Sequence, residues 1–248
     1  MSGPLDAVLD LLFPPKCVFC GAILDDGEEG MCARCQRELP WLLEGEAEQK
    51  GEFFSLCAAP LRYQDKVRDS IHRYKFQGRR GYHKLYGRLV AQCVHDHLNG
   101  RYDLISWVPL SRKRKRERGY DQAFLLASAA AAELGAPLVE TLQKTRNTTA
   151  QSGLTEASQR RANVLGAYAL KQGVSVHDRR ILVVDDVITT GSTIDECCRV
   201  LCTAGAAEIH CAALAQAKGK VAKSAQEAEK DNEALAKRTE SQYNNKME

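Results

Sequence analysis

Residues Ile181 to Thr193 read ILVVDDVITTGST, a run dense in groups that can hold a sugar phosphate. Four β-favouring apolar residues lead to two adjacent carboxylates, Asp185 and Asp186. A hydroxyl-rich turn follows, Thr189, Thr190, Gly191, Ser192 and Thr193, and then a helix-like run from Ile194 to about Ala204. A strand, an acidic pair at its carboxyl end and a small-residue loop opening a helix describe the crevice of an open α/β sheet. Loop amides and threonine hydroxyls can donate to a phosphate, and the helix dipole favours an anion at that end. Gly191 lets the backbone come close to a ligand. Two carboxylates can accept hydrogen bonds from the two hydroxyls of a ribose ring. A lone acidic pair would read as a buried strand ending in an Asx-type turn. The complete string favours a binding motif over that plainer alternative.

A second chemical cluster lies near the amino end. Cys17 and Cys20, then Cys32 and Cys35, give C-x2-C-x11-C-x2-C, two short knuckles that each offer two thiolates from one turn. Together they complete a tetrahedral S4 set, which suits Zn²⁺. A redox CxxC is the competing reading, and two such pairs close together favour metal. With four protein ligands no position remains open for water, so the expected role is structural. The other six cysteines, Cys57, Cys93, Cys197, Cys198, Cys202 and Cys211, lack such spacing and read as small buried hydrophobes.

Between these clusters the chain is basic. Ile105 to Leu110 reads as a short strand, followed by a loop from Ser111 that carries RKRKRER, Arg112 to Arg118, before an alanine-rich helix from about Ala123 to Leu134. A hydroxyl and several arginines after a parallel strand are well placed for pyrophosphate, so Ser111, Arg112 and Arg118 are candidates. Lys113, Arg114, Lys115 and Arg116, with Arg79 and Arg80 from a second basic stretch, form a candidate surface for single-stranded DNA. Tyr74, Tyr82 and Tyr120 are interleaved there as possible stacking platforms. A solvated basic face and core tyrosines are the alternatives. Residues 145–158 are rich in Thr, Ser, Asn and Gln and read as a mobile excursion. Lys144, Arg146, Gln151, Arg160 and Arg161 in and around it can close over a polyanion or merely sit on an exposed connection.

A length of 248 residues suits one ordinary domain plus a small appendage, and 44% hydrophobic with 27% charged residues is a globular composition. No apolar run approaches the ~20 residues needed to span a bilayer. The first residues carry Asp6 and Asp10 among leucines and lack a basic start, unlike a signal peptide, so the expected compartment is the cytoplasm. The expected divisions are residues 1–45 for a helix and the zinc module, 46–217 for the main domain, and 218–248 for a charged, disordered tail.

The string ILVVDDVITTGST resembles the phosphoribosyl-pyrophosphate (PRPP) signature of type I phosphoribosyltransferases. The resemblance implies that Asp185 and Asp186 hold the ribose 2′ and 3′ hydroxyls while Thr189, Thr190, Gly191, Ser192 and Thr193 cradle the 5′-phosphate. An ordered series extends the likeness: the knuckles, IHRYKFQGRRG at Ile71–Gly81, VPLSRKRKRERGYDQA at Val108–Ala123, TRNTTAQSGLTEASQRRANV at Thr145–Val164, and the PRPP string. In combination, over roughly residues 5 to 217, this looks like the ComF family of competence-associated proteins. Tyr120-Asp121 departs from the usual Phe-Asn of that family, and Ser192 stands where Ala is frequent. A further likeness to glutamine phosphoribosyl amidotransferases makes Arg146, Gln151 and Arg161 candidate closing-loop residues.

The resemblance implies an α/β fold, a type I phosphoribosyltransferase-like parallel sheet with helices on both faces plus a small N-terminal zinc-binding module. Hood-like elements are expected over residues 53–81. Mg²⁺ is expected to accompany PRPP. Three functions from different classes follow: a competence accessory that binds PRPP and single-stranded DNA beside a DNA-uptake helicase, an active phosphoribosyltransferase with an unidentified acceptor, and a PRPP-sensing regulator. Membrane insertion is not expected.

Overall fold

The computed structural model describes residues 13–43, 45–146 and 162–217. In chain order the strands are β1 (Glu48–Gln49), β2 (Leu56–Ala58), β3 (Leu61–Arg62), β4 (Leu104–Trp107), β5 (Leu142–Lys144), β6 (Tyr168–Leu170), β7 (Arg180–Ile188) and β8 (Glu208–Gln216). The helices are α1 (Ala33–Glu38), α2 (Asp65–Phe76), α3 (His83–Leu98), α4 (Arg112–Arg118), α5 (Gln122–Leu134) and α6 (Ser192–Thr203).

β7 is the central strand, parallel to β4 on one side and to β8 on the other. Its run of β-branched and leucine residues is buried almost throughout, as expected of a strand covered on both faces. The pleat divides those residues. Leu182 and Val184 turn toward α2, α3 and α5, in one core with Tyr74, Tyr86 and Leu126. Ile181 and Val183 turn to the opposite face, in a second core with Ile194, Cys197 and Leu201 of α6. The strand runs on past the acidic pair to Ile188, still paired with Gln216 of β8. Asp185 and Asp186 therefore rest on a rigid ladder rather than on a loop.

Within the expected hood of residues 53–81, residues 56–62 depart from that reading. β2 and β3 both add parallel to β8 and widen the main sheet, and β1 closes that edge antiparallel to β2. The apolar run LCAAPL lets those short strands be buried, with Cys57, Ala58, Ala59 and Leu61 all at 0% exposure. α2 follows with Val67, Ser70, Ile71 and Tyr74 buried at helical spacing. Where α3 crosses α5, Gly87 takes the place of a side chain: a Cβ there would lie 2.3 Å from the Ala129 Cβ.

The expected basic loop is a helix. Ser111 caps α4, its hydroxyl accepting from the Arg114 amide at 3.4 Å, and Gly119 ends it in the left-handed conformation at φ 75°. Seven residues without an apolar stripe hide that helix from hydrophobic periodicity. Of the six cysteines without knuckle spacing, five are buried as expected, while Cys202 is exposed on the solvent side of α6.

The four knuckle cysteines converge, with all sulfur atoms within 4.8 Å of one another. Cys20 Sγ and Cys32 Sγ lie 3.7 Å apart. Zn–S bonds of about 2.3 Å give a tetrahedron with edges of about 3.8 Å, whereas a disulfide would need about 2.05 Å. The donor set fits zinc. The Cys17 amide donates to the Ala22 carbonyl at 2.7 Å and the Val18 amide to the Gly30 carbonyl at 2.8 Å, closing the first knuckle onto the loop. Cys17, Phe19 and Cys35 belong to the same core as Ile71 and Tyr86, so the module packs on the domain instead of standing apart.

Gly87→Ala is expected to destabilise the protein by about 1–3 kcal/mol, because α3 and α5 must part to admit the methyl group; denaturant midpoints read the change. Elemental analysis of dialysed protein is expected to find close to one zinc per chain, and Cys32→Ser to lower both zinc content and thermal stability. A metal-free protein of equal stability would contradict the assignment.

Candidate functional site

A cleft of about 400 Å³ opens where the carboxyl end of β7 meets α2, α4 and the β5–β6 ribbon. Asp185, Asp186, Thr189 and Thr193 form one wall. Arg114, Arg118 and Lys144 line it with positive charge, and Val108, Pro109, Leu110, Tyr63 and Val187 supply apolar surface. A smaller pocket continues along Thr189, Gly191, Ser192 and Thr193 to the start of α6. The residues expected to hold a ribose and its 5′-phosphate thus lie side by side, on β7 and on the turn it feeds.

Gly191 adopts φ +76°, which a side chain would strain, and it begins α6. Thr190 Oγ1 and Ser192 Oγ are 3.0 Å apart, a hydrogen bond within the turn. Thr189 is exposed where it lines the cleft, and Thr190 is exposed beside it without lining either pocket.

The acidic pair is not left to itself. Lys75 of α2 brings its Nζ to 2.9 Å from Asp186 Oδ1, with side-chain exposures of only 20% and 5%, so water screens the pair weakly. Asp185 Oδ1 accepts from the Asp186 amide at 2.8 Å. Burial and then the charge of Asp186 push the Asp185 carboxyl up to about 8, against the opposing pull of Lys75 and that amide. Asp186 Oδ2 is buried and, like Arg118 Nη1 and Gln122 Oε1 on the same cleft, lacks a hydrogen-bond partner among the described residues. Orphaned acceptors and donors at one surface fit a polyhydroxylated anion that would satisfy both. The unpartnered Asp186 Oδ2 likewise suits a hard cation such as Mg²⁺.

The basic candidates divide between two faces of α4. Arg114 and Arg118, four residues apart, turn inward and are half-buried in the cleft. Arg112, Lys113, Lys115 and Arg116 are exposed outward. Burial holds the Arg118 guanidinium below its usual range, and the group rests 4.8 Å over the Phe76 ring. Ser111 serves as the α4 cap and does not line the cleft. Lys144 donates to the Tyr168 hydroxyl at 3.0 Å; burial and then the charge of Arg114 bring its ammonium down to about 8. Arg146, within the expected excursion of residues 145–158, donates to the Leu165 carbonyl beyond it at 2.7 Å. Gln151, Arg160 and Arg161 lie outside the described residues, as do the expected N-terminal helix and the 218–248 tail.

The segment KFQGRRG, without a role at the level of sequence, is the one that furnishes Lys75 and Phe76. Its Arg80 donates to the Gly119 carbonyl at 3.1 Å and stacks 4.9 Å over the Tyr120 ring, which brings Arg79 and Arg80 beside the end of α4. The tyrosines are core rather than platforms: Tyr74 is 0% and Tyr120 6% exposed, and Tyr82 stacks edge-on against Tyr86. Sequence alone does not single out Lys75 or Gln122, because no local spacing relates them to Asp186. Asp121 stands at the usual Asn position and acts as a cap, accepting from the Phe124 and Leu110 amides at 3.2 Å each.

Residues 121–246 match the phosphoribosyl transferase domain family, and residues 8–65 match the double zinc ribbon domain. Competence protein F of Haemophilus influenzae is 30% identical over 227 residues, covering 82% of this chain and 97% of that protein. DNA utilization protein YhgH of Escherichia coli O157:H7 is 30% identical over 80% of this chain and 96% of its own. Competence protein ComFC of Streptococcus pneumoniae is 28% identical, over 72% of this chain and 73% of its own. Among solved structures, glutamine PRPP amidotransferase from B. subtilis aligns with 52% of this chain and 25% of its own, at 26% identity and a TM-score of 0.36, too loose a likeness to carry weight. A parallel sheet with helices on both faces, a four-cysteine structural zinc module and a match along nearly the whole of a competence protein lead to one conclusion: the chain belongs to the ComF family of competence proteins, which carry a phosphoribosyl transferase domain.

Proposed function

We propose that the protein binds PRPP together with Mg²⁺ in the cleft, and that it serves DNA uptake as a PRPP-dependent accessory that also holds single-stranded DNA. The observation that carries the first part is the opposition of charges across about 400 Å³: two carboxylates on β7 face Arg114, Arg118 and Lys144. Asp185 and Asp186 are suited to the ribose hydroxyls, the 189–193 turn to the 5′-phosphate, and the three cations to pyrophosphate. The carboxylates of Asp185 and Asp186 would hold the Mg²⁺ that accompanies PRPP, and the cation would offset the charge of the pyrophosphate. Asp186 Oδ2, without a protein partner among the described residues, is the acceptor such a ligand would satisfy.

The second part rests on the two faces of α4. Arg112, Lys113, Lys115 and Arg116 point away from the cleft, and Arg79 and Arg80 adjoin them past Gly119. Phosphate neutralisation there is compatible with a ligand in the cleft, because different residues do each task. The relatives are named for competence and DNA utilization, which favours DNA as the polyanion and the cytoplasmic side of uptake, near a helicase, as the place of action. Among the described residues no helix is long and apolar enough to cross a membrane.

Calorimetry with PRPP is expected to show Mg²⁺-dependent binding that Asp186→Asn or Thr190→Ala weakens by about 1.5–3 kcal/mol, roughly tenfold to a hundredfold. Affinity is also expected to tighten as pH rises toward about 8, since Asp185 must give up its proton to accept from ribose. Unchanged affinity in both variants would remove PRPP from this site. For DNA, fluorescence anisotropy is expected to show single strands binding with little sequence preference and a steep loss with salt. Charge reversal at Lys113 and Lys115 should reduce both affinity and salt slope; if neither moves, the α4 surface is not where DNA lies.

A further inference from the structure

α2 touches both the zinc knuckle and the acidic pair. Val18 and Phe19 are the two residues between the ligands Cys17 and Cys20, and their carbonyls point at this helix. Arg73 Nη2 donates to the Val18 carbonyl at 3.0 Å and to the Phe19 carbonyl at 2.7 Å. Ser70 Oγ donates to the Val18 carbonyl at 2.6 Å. Residues two apart on an α-helix emerge about 200° apart, so Lys75 leaves the side of α2 away from Arg73. There it meets Asp186 Oδ1 at 2.9 Å. Between them the Tyr74 hydroxyl donates to the Gln122 carbonyl at 2.8 Å, which fixes the rotation of the helix about its axis.

We propose that α2 is a strut through which the zinc knuckle, by way of Arg73, holds Lys75 against Asp186 and so keeps the acidic pair poised for its ligand. Lys75 is then a positioning residue: it neutralises Asp186 and holds that carboxylate in place beside Asp185. The poise toward PRPP rests on the function proposed above; the mechanical link from knuckle to Lys75 does not. The direction of the Val18 and Phe19 carbonyls depends on the knuckle staying closed, which the Cys17 and Val18 amides secure and a bound zinc would reinforce. Opposing charge on Asp186 also matters to Asp185, whose proton affinity the Lys75 ammonium lowers.

The test uses the full-length, zinc-loaded protein. Acylation of lysine amines followed by peptide mass spectrometry reports the accessibility of Lys75, with exposed Lys113 as the internal reference and no PRPP present. Lys75 is expected to be protected in the wild type. Arg73→Ala should raise its labelling about fivefold or more at unchanged zinc content, Asp186→Asn should do the same, and the double variant should add little to either, the non-additivity of residues acting in series. Should Arg73→Ala not accumulate as folded protein, Arg73→Gln is read in the same way. In parallel, Mg²⁺–PRPP affinity should fall roughly tenfold in Arg73→Ala and in Lys75→Met, and no further in their combination. Unchanged Lys75 labelling in the zinc-loaded Arg73 variant overturns the strut, whatever PRPP does. A wild type that fails to bind PRPP overturns the function proposed above, and the labelling of Lys75 still decides the strut.

Discussion

Two carboxylates side by side at the end of a buried strand are an electrostatic burden, and the surrounding structure is arranged to bear it. Asp186 is 3% exposed, and its neighbour Asp185 is half-buried on the same strand. Burial and the charge of Asp186 raise the Asp185 carboxyl to about 8, so a proton must leave before both carboxylates are ionised. Lys75, 2.9 Å from Asp186 Oδ1, opposes that rise. The lysine in turn requires α2 to lie across the carboxyl ends of the central strands, and α2 is fixed there by Tyr74 on the α5 side and by Ser70 and Arg73 on the zinc knuckle. The zinc module is thus part of the apparatus that places charge in the cleft.

The opposite wall follows from the short helix α4. A capped, glycine-terminated helix puts side chains four apart on the same face, so different members of one basic run take different environments. Arg114 and Arg118 enter the cleft while Arg112, Lys113, Lys115 and Arg116 remain in solvent. A flexible loop of the same composition would not separate the two populations. The Phe76 ring under Arg118 and the Tyr120 ring under Arg80 hold the helix end and the KFQGRRG turn together. In this way one short segment contributes to the acidic wall, the basic wall and the outer basic surface.

Sequence makes legible what is local. The β7 run, the turn at Gly191 and the cysteine knuckles are each coded within a few consecutive residues, and the structure places them as their spacing implies. Residues 56–62 lengthen the sheet instead of forming part of a hood, because pairing with β8 is a long-range choice that short apolar runs do not declare. α4 has no apolar face, so nothing in its periodicity distinguishes helix from loop. Lys75 and Asp186 are remote in sequence, and their pairing depends on the packing of α2 over β7. Tyr74 and Tyr120 illustrate the converse error. Interleaving with basic residues suggests stacking, while helical spacing from Val67 through Ile71 already places Tyr74 on the buried face.

At the centre stands the claim that the acidic pair and the loop after it hold the two ends of one sugar phosphate. A crystal structure of the zinc-loaded protein with Mg²⁺ and PRPP measures that directly. The ribose hydroxyls should lie within hydrogen-bond distance of Asp185 and Asp186, with the 5′-phosphate on the amides of residues 189–193 and pyrophosphate toward Arg114, Arg118 and Lys144. PRPP bound elsewhere, or a cleft still empty of it at saturating concentration, would contradict the claim.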